Sequence, residues 1–451
     1  MNSPNYFLAD LPPGATLNAA MISEACETLR HNRDRFLAHY STESLVQILS
    51  TVAKRWLDEG YPFRQRALAA CPERTGFTRQ VMSAGLDAFF SVITAETLKQ
   101  LIIQELGHEK RLDEFSTDAF GQNSNRKSIA TGPQLLVHVT GGMIPNPALT
   151  SIVLGLLAKS AQFVKCASGT SLLPLLFAHS LYDEEPKLGA CLEIAEWKGG
   201  DAELEKALFA QAQCVTATGS DETLEKIRQI IPKQARFIGY GHRLSFAYLT
   251  ADWTGADAKE AAAAVARDVA AWDQLGCLSP HVVYVETGGK VTPEQFAEVL
   301  AGELERHEQF FSRRPLNETE AGAIAYRRSF YQMRAANSPE TLLFQSSGST
   351  AWTVVYESDP RFQLSCLNRF IYVKAVQSLD HALQGAEMIR PNISTVGLGA
   401  TLAQIQSLAT QLARWGATRI CPVGKMQAPA LAWRHDGRPA LADLITWTDL
   451  E

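Results

Sequence analysis

The sequence has no CxxC pair. Its eight cysteines stand apart at 26, 71, 166, 191, 214, 277, 366 and 421, which excludes a zinc ribbon or a thioredoxin-type centre. In a long chain that scatter reads as reduced thiols in a cytoplasmic protein. No cluster of His, Cys and carboxylates has ligand spacing, so no metal is expected. Long apolar runs are missing too. The stretch 148–158 stops at Lys159 and the stretch 167–182 contains Pro174 and His179; both fall short of the ~20 apolar residues of a membrane span. The opening MNSPNYFLADLPPG lacks the basic end and apolar core of a secretory signal. Basic charge is not in excess: 42 Lys+Arg against 48 Asp+Glu gives a net −6, and nothing points to nucleic acid or an anionic membrane. GYGHRL and GLGA are not GxGxxG fingerprints.

What is present is a globular balance, 46% hydrophobic and 20% charged over 451 residues, long enough for more than one core. The first ~115 residues carry helical periodicity, as in 44–57 and 98–106. Then the pattern alternates. Strands are predicted at 134–139, 162–164, 213–217 and 237–238, with helices at 148–157, 172–181 and 221–231 between them. That alternation predicts a parallel sheet covered on both faces. An Ala-rich helix is expected over 258–272, a strand at 282–285 and a helix opening at Thr292-Pro293-Glu294-Gln295 with a capping box. Further strands are expected at 352–356 and 370–373. The tail, 429–451, reads as a hairpin turning at His435-Asp436-Gly437.

Cys277 lies where a helix ends and a strand begins, in DQLGCLSP at 273–280. A reactive thiolate needs an exposed turn, nearby N–H donors and room for an acyl group, and Gly276 permits close approach. The alternative is a buried core thiol. Asn146 sits between Pro145 and Pro147; a rigid amide there is either an oxyanion donor or a turn and cap residue. Lys165 closes a strand, where a cation suits a nucleotide ribose or phosphate, or is solvated surface. Thr218-Gly219-Ser220 precedes a helix whose N–H groups could receive a pyrophosphate, but Asp221 and Glu222 oppose that, and Ser220 serves equally as a simple cap. His242 and His281 are proton-transfer candidates or structural residues.

The order of these segments resembles the aldehyde dehydrogenase superfamily, and more closely its acyl-CoA reductase branch of the LuxC type. The similarity rests on DQLGCLSPHVVYVE at 273–286, GYGHRLSFA at 239–247 and GATRICPVGKMQAPALAWRHDGRPALADLITWTD at 416–449; it covers about 120–450. The resemblance implies an α/β fold of aldehyde-dehydrogenase type: two Rossmann-type parallel-sheet domains, a helical N-terminal part and a small oligomerisation hairpin. With a composition shift near 251–254 as the boundary, the chain divides into 1–250 (helices and cofactor domain, with 120–134 in the hairpin), 251–428 (catalytic domain) and 429–451 (oligomerisation segment). The resemblance makes Cys277 the catalytic thiol and Asn146 the oxyanion amide. It places Lys165, Thr218, Gly219, Ser220 and Gly241 at the cofactor. Where hydrolytic members carry a Glu, the chain has Ile238, so an acyl-enzyme would persist. The implied reaction is NAD(P)H-dependent reduction of a long-chain acyl-CoA or acyl-protein to aldehyde, with NADPH favoured over NADH. A homo-oligomer and an acyl-protein synthetase partner are implied as well. Alternatives are a CoA-acylating aldehyde dehydrogenase working oxidatively, a cysteine acyltransferase or thioesterase without redox chemistry, and a non-catalytic scaffold.

Overall fold

The computed structural model describes residues 5–12, 14–117 and 126–451; residues 120–125 of the expected hairpin lie outside them. The chain divides into two compact units, one of residues 1–75, 83–241 and 430–451, the other of 76–82 and 242–429.

The first unit begins with α1 (Ala19–Arg35), α2 (Thr42–Leu57), α3 (Pro62–Thr75), the part of α4 (Arg79–Phe90) from Ser83 on, and α5 (Ala95–Leu106). Helix α2 shows why they form. Ser41 Oγ accepts from Ser44 N at its start, and Leu45, Leu49, Val52 and Trp56 make one buried stripe. After β1 (Lys127–Thr131) come β2 (Leu135–Thr140), α6 (Asn146–Leu157), β3 (Ala161–Cys166), α7 (Leu172–Glu184) and the single turn α8 (Pro186–Gly189). Then follow β4 (Leu192–Glu196), α9 (Ala202–Phe209), β5 (Cys214–Thr218), α10 (Asp221–Ile230) and β6 (Arg236–Tyr240). The five strands β4-β3-β2-β5-β6 form one sheet, parallel throughout. β2 and β3 are buried on both faces, as a helix-covered parallel sheet requires. One polar rung crosses that interior: His138 on β2 bonds Thr216 on β5 (2.6 Å) and Gln162 on β3 (3.0 Å), and burial pushes its pKa down to about 4.

The second unit holds β7 (Leu244–Leu249), α11 (Ala251–Ala256), α12 (Ala258–Ala270), β8 (Pro280–Glu286), α13 (Pro293–Phe310), α14 (Glu318–Asn337), β9 (Thr341–Gln345) and β10 (Thr353–Glu357). It continues with β11 (Phe370–Val376), α15 (Leu379–Gly385), β12 (Ile393–Gly399), α16 (Leu402–Trp415) and β13 (Arg419–Pro422). Its seven-stranded sheet runs β13-β12-β7-β8-β11-β10-β9, parallel except for antiparallel β9. Separate apolar clusters cover its faces, one built on Val265, Phe296 and Leu300, the other on Tyr284, Tyr372 and Leu412. Among the described residues no single helix is long and apolar enough to cross a membrane.

The change of unit falls at Gly241/His242, whereas the sequence reading broke the chain after 250. β7 lies between, and its partners are β12 and β8, so a continuous apolar stretch conceals the crossing. The tail differs from a self-contained hairpin. His435–Gly437 is a local 3-10 turn, and β14 (Thr446–Leu450) pairs antiparallel with β1, from Lys127↔Leu450 to Thr131↔Thr446. Glu105 on α5 anchors the approach, accepting from the backbone N–H groups of Ala440 (2.9 Å), Leu441 (2.7 Å) and Ala442 (2.9 Å).

Candidate functional site

In the first unit the strand order reverses between β2 and β5. Open parallel sheets bind ligands outside the carboxyl ends of their strands at such a point. The loops there are Thr140-Gly141-Gly142 and Thr218-Gly219-Ser220. They approach so closely that a Cβ on Gly141 would lie 2.9 Å from the Thr218 carbonyl oxygen; only glycine fits.

The donors of this edge divide into spent and unspent. Gly219 N donates to Tyr240 O (3.2 Å), so its N–H belongs to the sheet. Ser220 caps α10, its Oγ accepting from Thr223 N (3.2 Å). Asp221 and Glu222 occupy the first turn, and a Cβ on Gly241 would sit 2.2 Å from Asp221 Oδ1. The start of α10 is therefore acidic and capped, a poor seat for a phosphate.

The β3–β4 end is the opposite. Lys165 is buried, with Nζ 5.5 Å over the Trp197 ring. Among the described residues Nζ has no carboxylate within ion-pairing distance. Burial lowers its pKa against the weaker pull of Glu205. Trp197 Nε1 is buried without a hydrogen-bond partner. Gly199 faces the ammonium, where an added Cβ would lie 3.8 Å away, and Gly200 has φ +91°. Glu205 Oε1 accepts from Gly200 N (2.8 Å), so that N–H is spent; the desolvated Lys165 cation and the unused Trp197 indole donor are the groups that fit ribose hydroxyls or phosphate oxygens of a nicotinamide dinucleotide.

Asn146 opens α6, with Pro145 at the cap. Its Nδ2 donates to Gly85 O at 3.5 Å, a bond at the limit of length. Its Oδ1 is buried without a partner. An amide carries two N–H groups, so Asn146 keeps donor capacity on a rigid turn. Ile238, where hydrolytic relatives would have a carboxylate, is buried in β6.

Of the eight cysteines seven are buried or half-buried, and Cys277, in the second unit, alone is exposed. Desolvation pushes the thiols of Cys26, Cys166, Cys191 and Cys214 up to about 12 and those of Cys71 and Cys421 up to about 11. The thiolate is the reactive form, so burial silences those six. Cys277 rides a tight turn closed by Ser279 N donating to Gly276 O (2.9 Å). Buried Ser245 Oγ donates to the Cys277 carbonyl (2.7 Å) and accepts from Thr395 N (3.2 Å). Gln427 Nε2 donates to Ser279 Oγ (2.7 Å). A thiol so presented has its main chain fixed on both sides.

The histidines separate. His281 Nδ1 accepts from Ser365 N (3.1 Å), and burial drives its pKa down to about 4, so it is a neutral structural residue of β8. His242 gives its carbonyl to Asn392 Nδ2 (3.2 Å). The sequence reading missed Trp197, Ser245 and Gln427. The Gly199-Gly200 pair two residues on is the signal that could have found the first; a lone Ser inside an apolar strand gave no warning of the second. It missed also that His435 stacks on Tyr240 at 4.5 Å, with Arg438 at 4.7 Å from the same ring, which fastens the tail to β6.

The solved structures similar to this chain include an NAD-dependent benzaldehyde dehydrogenase from Corynebacterium glutamicum, at TM-score 0.70 and 14% identity over 97% of this chain and 90% of that one. The PutA protein of Anabaena variabilis matches equally, at TM-score 0.70 and 14% identity over 97% and 93%. These likenesses give the fold, which is that of the aldehyde dehydrogenases. Among curated proteins, the long-chain acyl-protein thioester reductase of Aliivibrio fischeri is 22% identical over 418 residues, 90% of this chain and 82% of that protein. The Vibrio harveyi reductase of the same name is 21% identical over 360 residues, covering 78% and 71%. The family described as acyl-CoA reductase (LuxC) matches residues 37–447, and the chain belongs to that family.

Proposed function

We propose that the protein reduces a long-chain acyl thioester to its aldehyde through an S-acyl intermediate on Cys277. The carrying observation is that, of eight thiols, Cys277 alone is exposed, on a turn whose main chain is held by Ser245 and whose Ser279 hydroxyl is held by Gln427. As thiolate, Cys277 attacks the thioester carbonyl; its sulfur forms the new C–S bond, the bond to the donor sulfur breaks, and the donor leaves as a thiolate that takes a proton from solvent. Asn146 takes the role of oxyanion donor, supported by its second amide N–H. Ile238 offers no base for water, which favours an acyl-enzyme that outlives hydrolysis. A bound reduced nicotinamide supplies the hydride that converts this thioester to aldehyde and regenerated thiolate. Lys165, Trp197 and the Gly199-Gly200 loop would hold its adenosine end, and the unpaired Lys165 ammonium favours the extra phosphate of NADPH. The donor is acyl-CoA or an acyl-protein handed on by a synthetase. The reducing cytoplasm suits eight thiols without a disulfide. The β1–β14 ribbon, whose β14 residues are all exposed, would serve assembly into a homo-oligomer.

The test is intact-protein mass spectrometry after mixing with tetradecanoyl-CoA, with NADPH, NADH or neither, for wild type and Cys277→Ala. An adduct on wild type alone, discharged by nicotinamide with release of tetradecanal, is expected. An adduct that neither nicotinamide discharges would replace the reductase with an acyltransferase.

A further inference from the structure

Eight non-glycine residues have φ in the left-handed region among the described residues, and six fall in two runs of three. One run, Trp272-Asp273-Gln274 (φ 51°, 51°, 65°), leads into the Cys277 turn; the other, Leu367-Asn368-Arg369 (φ 61°, 55°, 65°), leads into β11. Neither uses glycine, the residue that adopts this conformation freely. Side-chain contacts must therefore hold both runs in place.

Those contacts join one run to the other. Asp273 is fully buried; its Oδ1 accepts from Arg369 Nε (3.0 Å) and lies 2.7 Å from Nη2 in an ion pair. Its Oδ2 accepts from Arg314 N (3.1 Å). Arg314 reaches back to Asn368 Oδ1 (3.2 Å), and Arg369 Nη1 pairs with Glu308 (2.5 Å). Gln274, also fully buried, donates from Nε2 to Pro280 O (2.8 Å) and Phe370 O (3.0 Å), while Phe370 N donates to its Oε1 (2.9 Å). Gln274 precedes Cys277 by three residues and Pro280 follows it by three. One amide therefore ties together both ends of the loop that carries the thiol, and anchors them to β11. A buried ion pair replaced by apolar packing costs little or even stabilises, so stability alone gives no reason for this arrangement.

We propose that Gln274, Asp273 and Arg369 are positioning residues of the acyl-transfer step, acting on Cys277 by fixing the turn that presents it. None of them touches substrate in this assignment. The proposal rests on the reading of Cys277 as the acylated thiol.

The test uses Gln274→Met and Arg369→Lys in the full chain. Single-turnover acylation by tetradecanoyl-CoA is followed by mass, and amide exchange is measured at Leu275 and Ser279, whose N–H groups close the turn on Trp272 and Gly276. Folded variants are expected to acylate at least tenfold more slowly at saturation, with half-saturation changed less than threefold. Exchange at Leu275 and Ser279 should rise tenfold or more while residues 282–285 stay protected. A merely structural role would lower the melting temperature and leave the rate of the folded molecules intact, so acylation within twofold of wild type overturns the proposal. Arg369→Lys keeps the charge and decides the matter alone where Gln274→Met does not fold. Wild type that forms no adduct with any acyl-CoA from eight to eighteen carbons overturns the reading of Cys277 instead, and the exchange result is unaffected by that failure.

Discussion

Native alkylation should mark one cysteine per chain. Four thiols are held at about 12 and two at about 11 by desolvation, and Cys366 is raised by the same cause. At pH 8 a thiol of pKa 12 is ionised in about one molecule in 10⁴, one of pKa 11 in about one in 10³, and an ordinary solvated thiol in about one in four. Ionisation alone therefore slows the six by roughly 10²–10³ against a solvated thiol, and lack of access slows them further. Iodoacetamide at pH 8, followed by intact mass and peptide mapping, is expected to add one group at Cys277, with half-buried Cys366 next and the other six modified only in guanidinium. Cys277→Ala should take up none over the interval that saturates wild type. Labelling of Cys26, Cys166 or any other of the six at a rate within tenfold of Cys277, in protein that remains folded, would refute the argument that burial leaves one thiol available.

Asn146→Ala should lower turnover by about 10²-fold or more, the usual loss of an oxyanion donor; full turnover in steady-state assay would remove Asn146 from the chemistry. Glu105→Ala strips three backbone N–H groups of their acceptor. At about 1 kcal/mol or more apiece, the β14 amides should exchange faster, and unchanged exchange would contradict the anchor. His138 has its pKa depressed to about 4, so its contribution to stability is whole above the unfolded value near 6.5 and is lost as pH falls toward 4. The advantage of wild type over His138→Leu in urea titrations should shrink by up to ~1.4 kcal/mol per pH unit in that window; a constant difference would count against a neutral buried imidazole.

Local chemistry made much of this legible in the sequence. The capping box expected at Thr292 is present, with Thr292 N donating to Gln295 Oε1 (2.9 Å) and Gln295 N to Thr292 Oγ1 (3.3 Å). The β2–α6–β3–α7 alternation follows from apolar runs broken at Gly141-Gly142 and Lys159. The exposed turn before a strand expected at Cys277 is present, and the glycine before it and the apolar run after it made that turn legible. Long-range partners were not legible. Nothing in LITWTDL itself names Lys127–Thr131 as its mate, since pairing across more than 300 positions leaves no local trace; only the family resemblance set 120–134 in a hairpin with the tail. The left-handed runs were equally hidden, because Trp, Asp, Gln, Leu, Asn and Arg are not the residues that announce that conformation. What holds them is a set of contacts between segments about 95 residues apart. The Thr218-Gly219-Ser220 turn shows the reverse hazard: its donors look available in sequence, yet the Gly219 N–H is already taken by Tyr240.

The discontinuous first unit has a consequence for biogenesis. Its sheet is encoded by residue 241, but Glu105 and β1 await residues 440–450. A ribosome adding roughly 5–20 residues per second takes about 10–40 s to cover the intervening 200 or so. Throughout that interval β1 exposes an unpaired edge, the kind that recruits strands from other nascent chains. The inserted second unit completes its own sheet by residue 422, before that edge is closed. Chains lacking the final strand should thus fold much of their mass and still aggregate, the loss appearing in soluble yield rather than in the cores of the two sheets.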